Sequence, residues 1–403
     1  MKILLHTEEY LPTTQACAIR MDVFASQLRQ LGHQVTVVAG SNHRTREAKT
    51  YCREEIIYAP TLKMRKKTTL FRLLSNLSFA ISSMFCAIGA GKFDVVVTTS
   101  PPPLISISGW IIAKIKKAKL VYDVRDIWPD VAVEMGSISD GSLFYLVFRW
   151  IADFMYRKAD LITTVSAGKV RSIRSKLRAN MQDKVVLIPN GYDLRNDLLL
   201  DEPSAVEHFD IQKHFTCVYI GNVGLAQGLE SLLTIAEKTK HPDVRFMIFG
   251  NGADKERLEK QAKARGLKQV SFCGGVPHEQ VIAVLKQSKI SYISLKNGNM
   301  KDSVPTKLYE SLAFGVPVLL VAEGDSADIL ADCGLGCNAS PDNLEQLVTK
   351  FDEMVDQYDD ICSNRKHAMN LIREKYSRQS AVLELEKQIQ NLCASGKEEG
   401  QLQ

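Results

Sequence analysis

The sequence predicts an α/β protein made of two doubly wound parallel sheets in series. Three observations carry this. Short apolar runs alternate with helical stretches, the alternation restarts near residue 215, and the chain has 403 residues with 45% hydrophobic content. That length exceeds one ordinary α/β core and suits two domains of about 200 residues each. Strands of a parallel sheet covered on both faces read as short, nearly continuous apolar runs, which is the pattern seen here.

In the first half, Ile3–His6 reads as strand, Ile19–Leu31 as amphipathic helix and Gln34–Ala39 as strand. Further strands are expected at Asp94–Thr99, Leu120–Val124, Leu161–Val165 and Val185–Ile188, with helices between them. In the second half the strands are Phe215–Ile220, Arg245–Phe249, Val270–Phe272, Ile290–Ser294 and Val318–Val321. The intervening helices are Leu229–Thr239, Lys255–Arg265, His278–Gln287 and Pro305–Ala313. The Asp-, Glu- and Asn-rich stretch Asp193–Asp210 reads as a linker, which divides the chain into domains 1–195 and 196–378. A last helix is expected at about 379–392, followed by a frayed tail, Ala394–Gln403.

Charge is uneven. Residues 1–195 hold 28 Lys/Arg against 16 Asp/Glu, and the remainder holds 23 against 30, so a net charge of +5 hides a basic first half and an acidic second half. A basic domain suits an anionic partner. Nine scattered cysteines, several inside apolar runs, read as reduced thiols of a cytoplasmic protein, and no signal-peptide pattern opens the chain. Leu73–Gly91 contains 19 uncharged residues, long enough to suggest a membrane span. Its serines and its direct run into the strand at 94–99 favour a buried crossover helix. The basic cluster before it, Lys63, Arg65, Lys66 and Lys67, is either a solvated loop or a contact for anionic lipid headgroups.

Paired doubly wound domains facing a cleft bind ligands at the carboxyl ends of their strands. A nicotinamide site is excluded at the first strand, because Thr7-Glu-Glu-Tyr-Leu-Pro-Thr-Thr follows it and no glycine occurs before Gly32. Two other segments carry chemistry. Gly221-Asn222-Val-Gly224-Leu-Ala-Gln227-Gly228 joins a strand to a helix, where glycine turns and free amides suit a diphosphate, although such turns also carry glycine for steric reasons. In Asp302-Ser-Val-Pro305-Thr306-Lys307-Leu-Tyr-Glu310, Pro305 suits a helix start, and Lys307 stands in the first turn against the dipole preference. A lysine for phosphate and a carboxylate for ribose hydroxyls would bind a nucleoside diphosphate. An i,i+3 surface salt bridge between Lys307 and Glu310 is the plainer alternative.

The second segment, ending in Gly315-Val-Pro317-Val, resembles the glutamate–seven–glutamate motif of GT-B glycosyltransferases of glycosyltransferase family 4. The resemblance spans nearly the whole chain. Arg20 with Gly32-His33-Gln-Val-Thr-Val, Ile188-Pro189-Asn190-Gly191, Gly250-Asn-Gly252 and Gly274-Gly275-Val276 fall where the family has its first helix, hinge and C-domain strand ends. It implies two Rossmann-like domains, a last helix packing back on the first of them, and transfer of a sugar from a UDP-sugar with retention and without metal or other cofactor. It assigns Asp302 and Lys307 to catalysis, and Gly221, Asn222, Gly224, Gln227, Gly250, Val276, Pro305, Thr306 and Glu310 to the donor. Departures are present. Asp302 replaces the first glutamate, Asn222 and Gln227 replace a phosphate-binding arginine and lysine, and Gln15-Ala16-Cys17 replaces a glycine pair.

Together with Tyr122-Asp123-Val-Arg125-Asp126-Ile-Trp128-Pro129, these departures resemble a branch that builds bacterial O-antigen and capsule and includes N-acetyl-L-fucosamine transferases. Arg125 and Asp126 are then expected at the sugar and acceptor, or as a structural pair, with Arg20 and Ser100 on the acceptor side. The implied partners are a UDP-sugar, an undecaprenyl-diphosphate-linked glycan and the anionic surface of the inner membrane, with no nucleic acid. Two other classes stay open: a UDP-sugar 2-epimerase, and a sugar-nucleotide-binding partner subunit without turnover, motivated by Asn222 and Gln227.

Overall fold

The computed structural model describes residues 1–13, 16–41, 55–62, 69–134, 136–198, 203–296 and 300–401. The cluster Lys63–Lys67 and residue Gln15 lie outside the described residues. The chain divides into two units, Met1–Asn190 with Arg378–Gln403, and Gly191–Ser377.

In the first unit the apolar runs form strands β1 (Lys2–His6), β2 (Gln34–Gly40), β3 (Glu55–Ala59), β4 (Val95–Ser100), β5 (Lys119–Val124), β6 (Leu161–Thr164) and β7 (Val185–Leu187). They pair in parallel in the order β3-β2-β1-β4-β5-β6-β7, with Ile3 opposite both Val35 and Val95. Because side chains alternate across a strand, the sheet has two apolar faces. Leu4, Val96, Tyr122 and Ile162 pack under the helices Thr69–Gly89, Pro103–Lys116 and Leu143–Lys158. Ile3, Leu5, Val97 and Val121 pack under Ala16–Gln30 and the last helix, Arg378–Gln401, which contributes Val382, Leu385 and Ile389. Gly109 lets the middle helix sit directly on β4, since a Cβ there would fall 2.4 Å from Thr98 Oγ1.

The second unit holds β8 (Thr216–Ile220), β9 (Arg245–Phe249), β10 (Val270–Gly274), β11 (Ile290–Ser294), β12 (Val318–Val321) and β13 (Gly336–Ala339), parallel in the order β10-β9-β8-β11-β12-β13.

Four expectations change. The expected linker carries packed residues: Val206 and, just beyond it, Ile211 are buried against Val218 and Phe249. The last helix runs to Gln401 rather than fraying at Ala394. The edge strands β3 and β13 add to those expected. The helix of the uncharged run is a crossover helix but not a buried one, because only 28% of its apolar window is covered.

Candidate functional site

A doubly wound sheet opens a crevice where the strand order reverses, outside the carboxyl ends of the central strands. In the second unit that point lies between β8 and β11. Both chemistry-bearing segments are there. The Gly221–Gly228 loop leaves β8, and it is tied to β11 by Ser294 Oγ donating to Gln227 O (2.5 Å) and Lys296 N donating to Ala226 O (2.9 Å). The helix Thr306–Ala313 follows β11 and is fixed by the buried residues Leu308, Tyr309, Leu312 and Ala313.

The glycines of this loop are required by close approach of backbones. Gly221 N donates to Phe249 O (2.9 Å), Val223 N to Asn251 O (2.9 Å) and Gly250 N to Gly274 O (2.7 Å), so the three strand ends β8, β9 and β10 are laced together. Gly250 has φ +149°, and a Cβ on it would stand 1.8 Å from Gly221 O. Gly250→Ala is therefore expected to lower the urea midpoint by an amount equivalent to about 1–3 kcal/mol. Gly89→Ala, which meets nothing within 4 Å, should leave it unchanged.

Lys307 is the centre of the arrangement. Its Nζ lies 4.0 Å from the centroid of the Tyr219 ring, and 3.2 Å from where a Cβ on Gly221 would stand. It forms no ion pair among the described residues, so the salt-bridge alternative with Glu310 is not what holds it. Desolvation of the ammonium lowers its pKa to about 7, against a smaller opposing effect of Glu310. Pro305 is the N-cap, with extended backbone and no side-chain acceptor, so the first-turn amides of Thr306 and Lys307 are left for solvent or a ligand. A cation, an uncapped helix start and a glycine loop thus converge on one small region. Such a set binds phosphate oxygens.

Other expected donor residues take narrower parts. Gln227 Oε1 accepts from Gly224 N (3.2 Å), and Asn222 O accepts from Tyr219 Oη (2.6 Å). Gln227 therefore holds the loop, and the Gly224 amide is already used, as is that of Ser303, which donates to Met300 O (3.0 Å). Asp302, Glu310 and Val276 are part-exposed in the same unit, and Val276 follows β10.

In the first unit the order reverses between β1 and β4. Arg125 follows β5, donating from Nε to Thr99 Oγ1 (3.0 Å) and from Nη2 to Pro101 O. Asp126 pairs with Lys169 Nζ (3.8 Å), not with Arg125. Lys169, at the start of the Ser166-capped helix Ala167–Ser175, is buried and went unread in the sequence; its place after a Val-Ser strand end was the available signal. Glu8, just past β1, is a second such residue. Burial and the neighbouring Glu9 push its carboxyl up to about 7.

Arg20 and Ser100, expected on the acceptor side, are buried. Both are 1% exposed. Arg20 donates to Asp123 and to the carbonyls of Ile188 and Pro189, and Ser100 ends β4 inside the core. Their side chains are consumed by packing.

Two family models match the chain: "Glycosyl transferase 4-like domain" over residues 17–191 and "Glycosyl transferases group 1" over residues 204–378. Among proteins of similar sequence is WcaI of Escherichia coli K12, assigned as a colanic acid biosynthesis glycosyl transferase. It is 25% identical over 86% of this chain and 90% of its own. WbjE of Pseudomonas aeruginosa, assigned as a glycosyltransferase, is 24% identical over 72% of each chain. Among solved structures, HepE of Anabaena in complex with UDP superposes with a TM-score of 0.75 at 14% identity, over 97% of this chain and all of that one.

Proposed function

Because the chain is a GT-B glycosyltransferase, with a glycosyl transferase 4-like domain followed by a group 1 domain, we propose that it transfers a sugar from a UDP-sugar to a lipid-linked glycan. The observation that carries the donor assignment is Lys307, a desolvated ammonium without an ion-pair partner among the described residues, set under a glycine loop and an uncapped helix start. UDP bound to HepE supports the choice of nucleotide, and the colanic acid assignment of WcaI supports surface-polysaccharide assembly as the setting. In this reading the sugar is an N-acetylated 6-deoxy amino sugar such as L-FucNAc, the acceptor glycan is carried on undecaprenyl diphosphate, and the setting is O-antigen or capsule assembly at the cytoplasmic face of the inner membrane.

The reaction forms a bond from an acceptor hydroxyl oxygen to the anomeric carbon and breaks the bond from that carbon to the β-phosphate oxygen of UDP. In a front-face attack the hydroxyl proton passes to the departing diphosphate, and configuration is retained. Charge grows on the diphosphate as the bond breaks, so donors preset around it lower the barrier. Lys307 and the amides of Thr306 and Lys307 supply them. Glu310 holds the ribose, Asp302 the sugar hydroxyls, and Arg125 and Asp126 the acceptor side, with Lys169 orienting Asp126. The deciding experiment measures UDP release from a panel of UDP-sugars, with and without a lipid-linked N-acetylhexosamine. Acceptor-dependent release with one donor is expected; UDP binding without any release would overturn the reading.

UDP binding should also depend on pH. A lysine of pKa about 7 is mostly neutral above that pH, and a bound diphosphate favours its charged form. Binding above pH 7 then takes up a proton. Affinity should weaken by up to about tenfold per pH unit as pH rises above 7, and level off below it. Calorimetry in buffers of different ionisation enthalpy checks this, and Lys307→Met should abolish the proton uptake.

A further inference from the structure

The helix Thr69–Gly89 is apolar on both sides. Ser75, Phe79, Ser83 and Ala87 are buried, while Leu74, Leu77, Ile81 and Phe85 recur three and four residues apart on the outside, Phe85 at 65% exposure. On the same layer, Leu143, Leu146, Val147 and Trp150 make a second outward stripe at i, i+3, i+4 and i+7, with Trp150 61% exposed. The helix Pro103–Lys116 packs against both and adds exposed Ile115. At these exposures the two stripes present roughly 800 Å² of side chain, more than the largest apolar patch of a typical monomer and about what each partner of a stable complex buries.

The two ends of this layer differ in charge. Each of its three helices joins strands of one parallel sheet, so all three run the same way. Lys114, Lys117, Arg157 and Lys158 are exposed at or just past the carboxyl ends. Asp160, beyond them, is paired with Lys119 at 3.8 Å. Before the amino end of the helix Leu143–Lys158, Asp140 is exposed, as is Glu134 in the segment that leads to it. Arg72, a cation at that end, belongs to the other flank, in the first turn of Thr69–Gly89. Between the ends of Leu143–Lys158, Arg149 and Asp153 pair with each other at 3.5 Å.

We infer that this layer is the interface with a second copy of the chain, in which the helix Leu143–Lys158 lies antiparallel on its own image. A twofold axis that lies in the face and crosses the helices reverses their direction in the other copy and sets each apolar stripe on itself. Stripes spaced by three and four residues supply the ridges through which such helices pack. The same axis brings Asp140 of each copy toward Arg157 of the other. The point midway between these two residues falls beside Phe148, within the span of the stripe Leu143–Trp150, so one axis serves both the apolar match and the charge match. An apolar centre with a polar rim of opposite charges is the anatomy of a protein interface. A twofold axis along the helices would set like charges together, and an anionic bilayer would repel Glu134 and Asp140. The inference stands apart from the donor site and does not depend on the identity of the sugar.

The test is analytical ultracentrifugation of the full chain from nanomolar to micromolar concentration. A species of twice the 45.0 kDa chain mass is expected. Leu146→Glu with Trp150→Glu should raise the dimer dissociation constant at least about 30-fold, with circular dichroism unchanged. Asp140→Arg should raise it about tenfold, since the twofold axis repeats the clash. Asp140→Arg with Arg157→Asp should bring it back toward the wild-type value, a rescue that loss of fold cannot mimic. Leu344→Glu, at an exposed position of the second unit, should leave it unchanged. The inference is overturned if the wild type sediments as a single chain throughout, or if the double apolar variant dimerises as tightly as the wild type. It is equally overturned if the double charge reversal dimerises no better than Asp140→Arg, or if the chain is a monomer that floats with phosphatidylglycerol vesicles, since lipid then covers the face.

Discussion

Lys307→Ala should lower kcat about 100-fold or more while the protein stays folded and still binds UDP. The size follows from the loss of one preset donor to a group whose charge grows in the transition state, about 2.7–4 kcal/mol in comparable oxyanion sites. The effect should fall mainly on kcat, because the bound donor carries less charge on the bridging oxygen than the transition state does. Lys307→Arg should not restore the rate. Nζ is confined between the Tyr219 ring and the Gly221 backbone, and a planar guanidinium is larger than an ammonium and needs a different approach to phosphate. Single-turnover measurement at saturating donor checks both variants; near-normal turnover of Lys307→Ala would remove Lys307 from the mechanism.

The framework of this site is legible in the sequence because its signals are local. β8 and β11 are short apolar runs, each followed by a segment with its own turn chemistry, and Pro305 marks where the Thr306–Ala313 helix begins. What tertiary pairing decides is not legible. β13 is Gly336-Cys-Asn-Ala, without strand composition, and becomes a strand by pairing with the edge of β12 from Val318 to Val321. The use of Gln227 as a brace for the Gly224 amide depends on loop geometry, so its position alone suggested a ligand contact instead. Exposure is the other missing quantity. The uncharged run at 73–91 fits a buried crossover helix and a half-exposed one equally well in sequence, and only packing against the helix 103–116 shows which side is open.

Arg20 shows the same limit at a single residue, and it yields the largest expected change in stability. A polar residue on the first helix of such a domain can look outward to a ligand or inward to the sheet. Here the guanidinium turns inward, over the Phe24 ring at 4.6 Å, with Nη2 on Asp123 at 2.9 Å and Nε on the other carboxylate oxygen at 3.2 Å. Asp123 is fully buried and also accepts from Thr163 Oγ1 at 2.7 Å. The remaining guanidinium donors satisfy the Ile188 and Pro189 carbonyls, so β5, β6 and the segment after β7 are pinned to the first helix through one side chain. Arg20→Leu would leave a carboxylate in the core without its counterion and two carbonyls without donors. Removing one partner of a buried pair typically costs about 3–5 kcal/mol. Chemical denaturation of Arg20→Leu should show a loss of that order. Arg20→Leu combined with Asp123→Asn should recover part of the loss, because the uncompensated charge is gone although the carbonyls stay unsatisfied. A loss below about 1 kcal/mol for Arg20→Leu, within the range of an exposed ion pair, would show that this contact does not hold the first sheet to its helix.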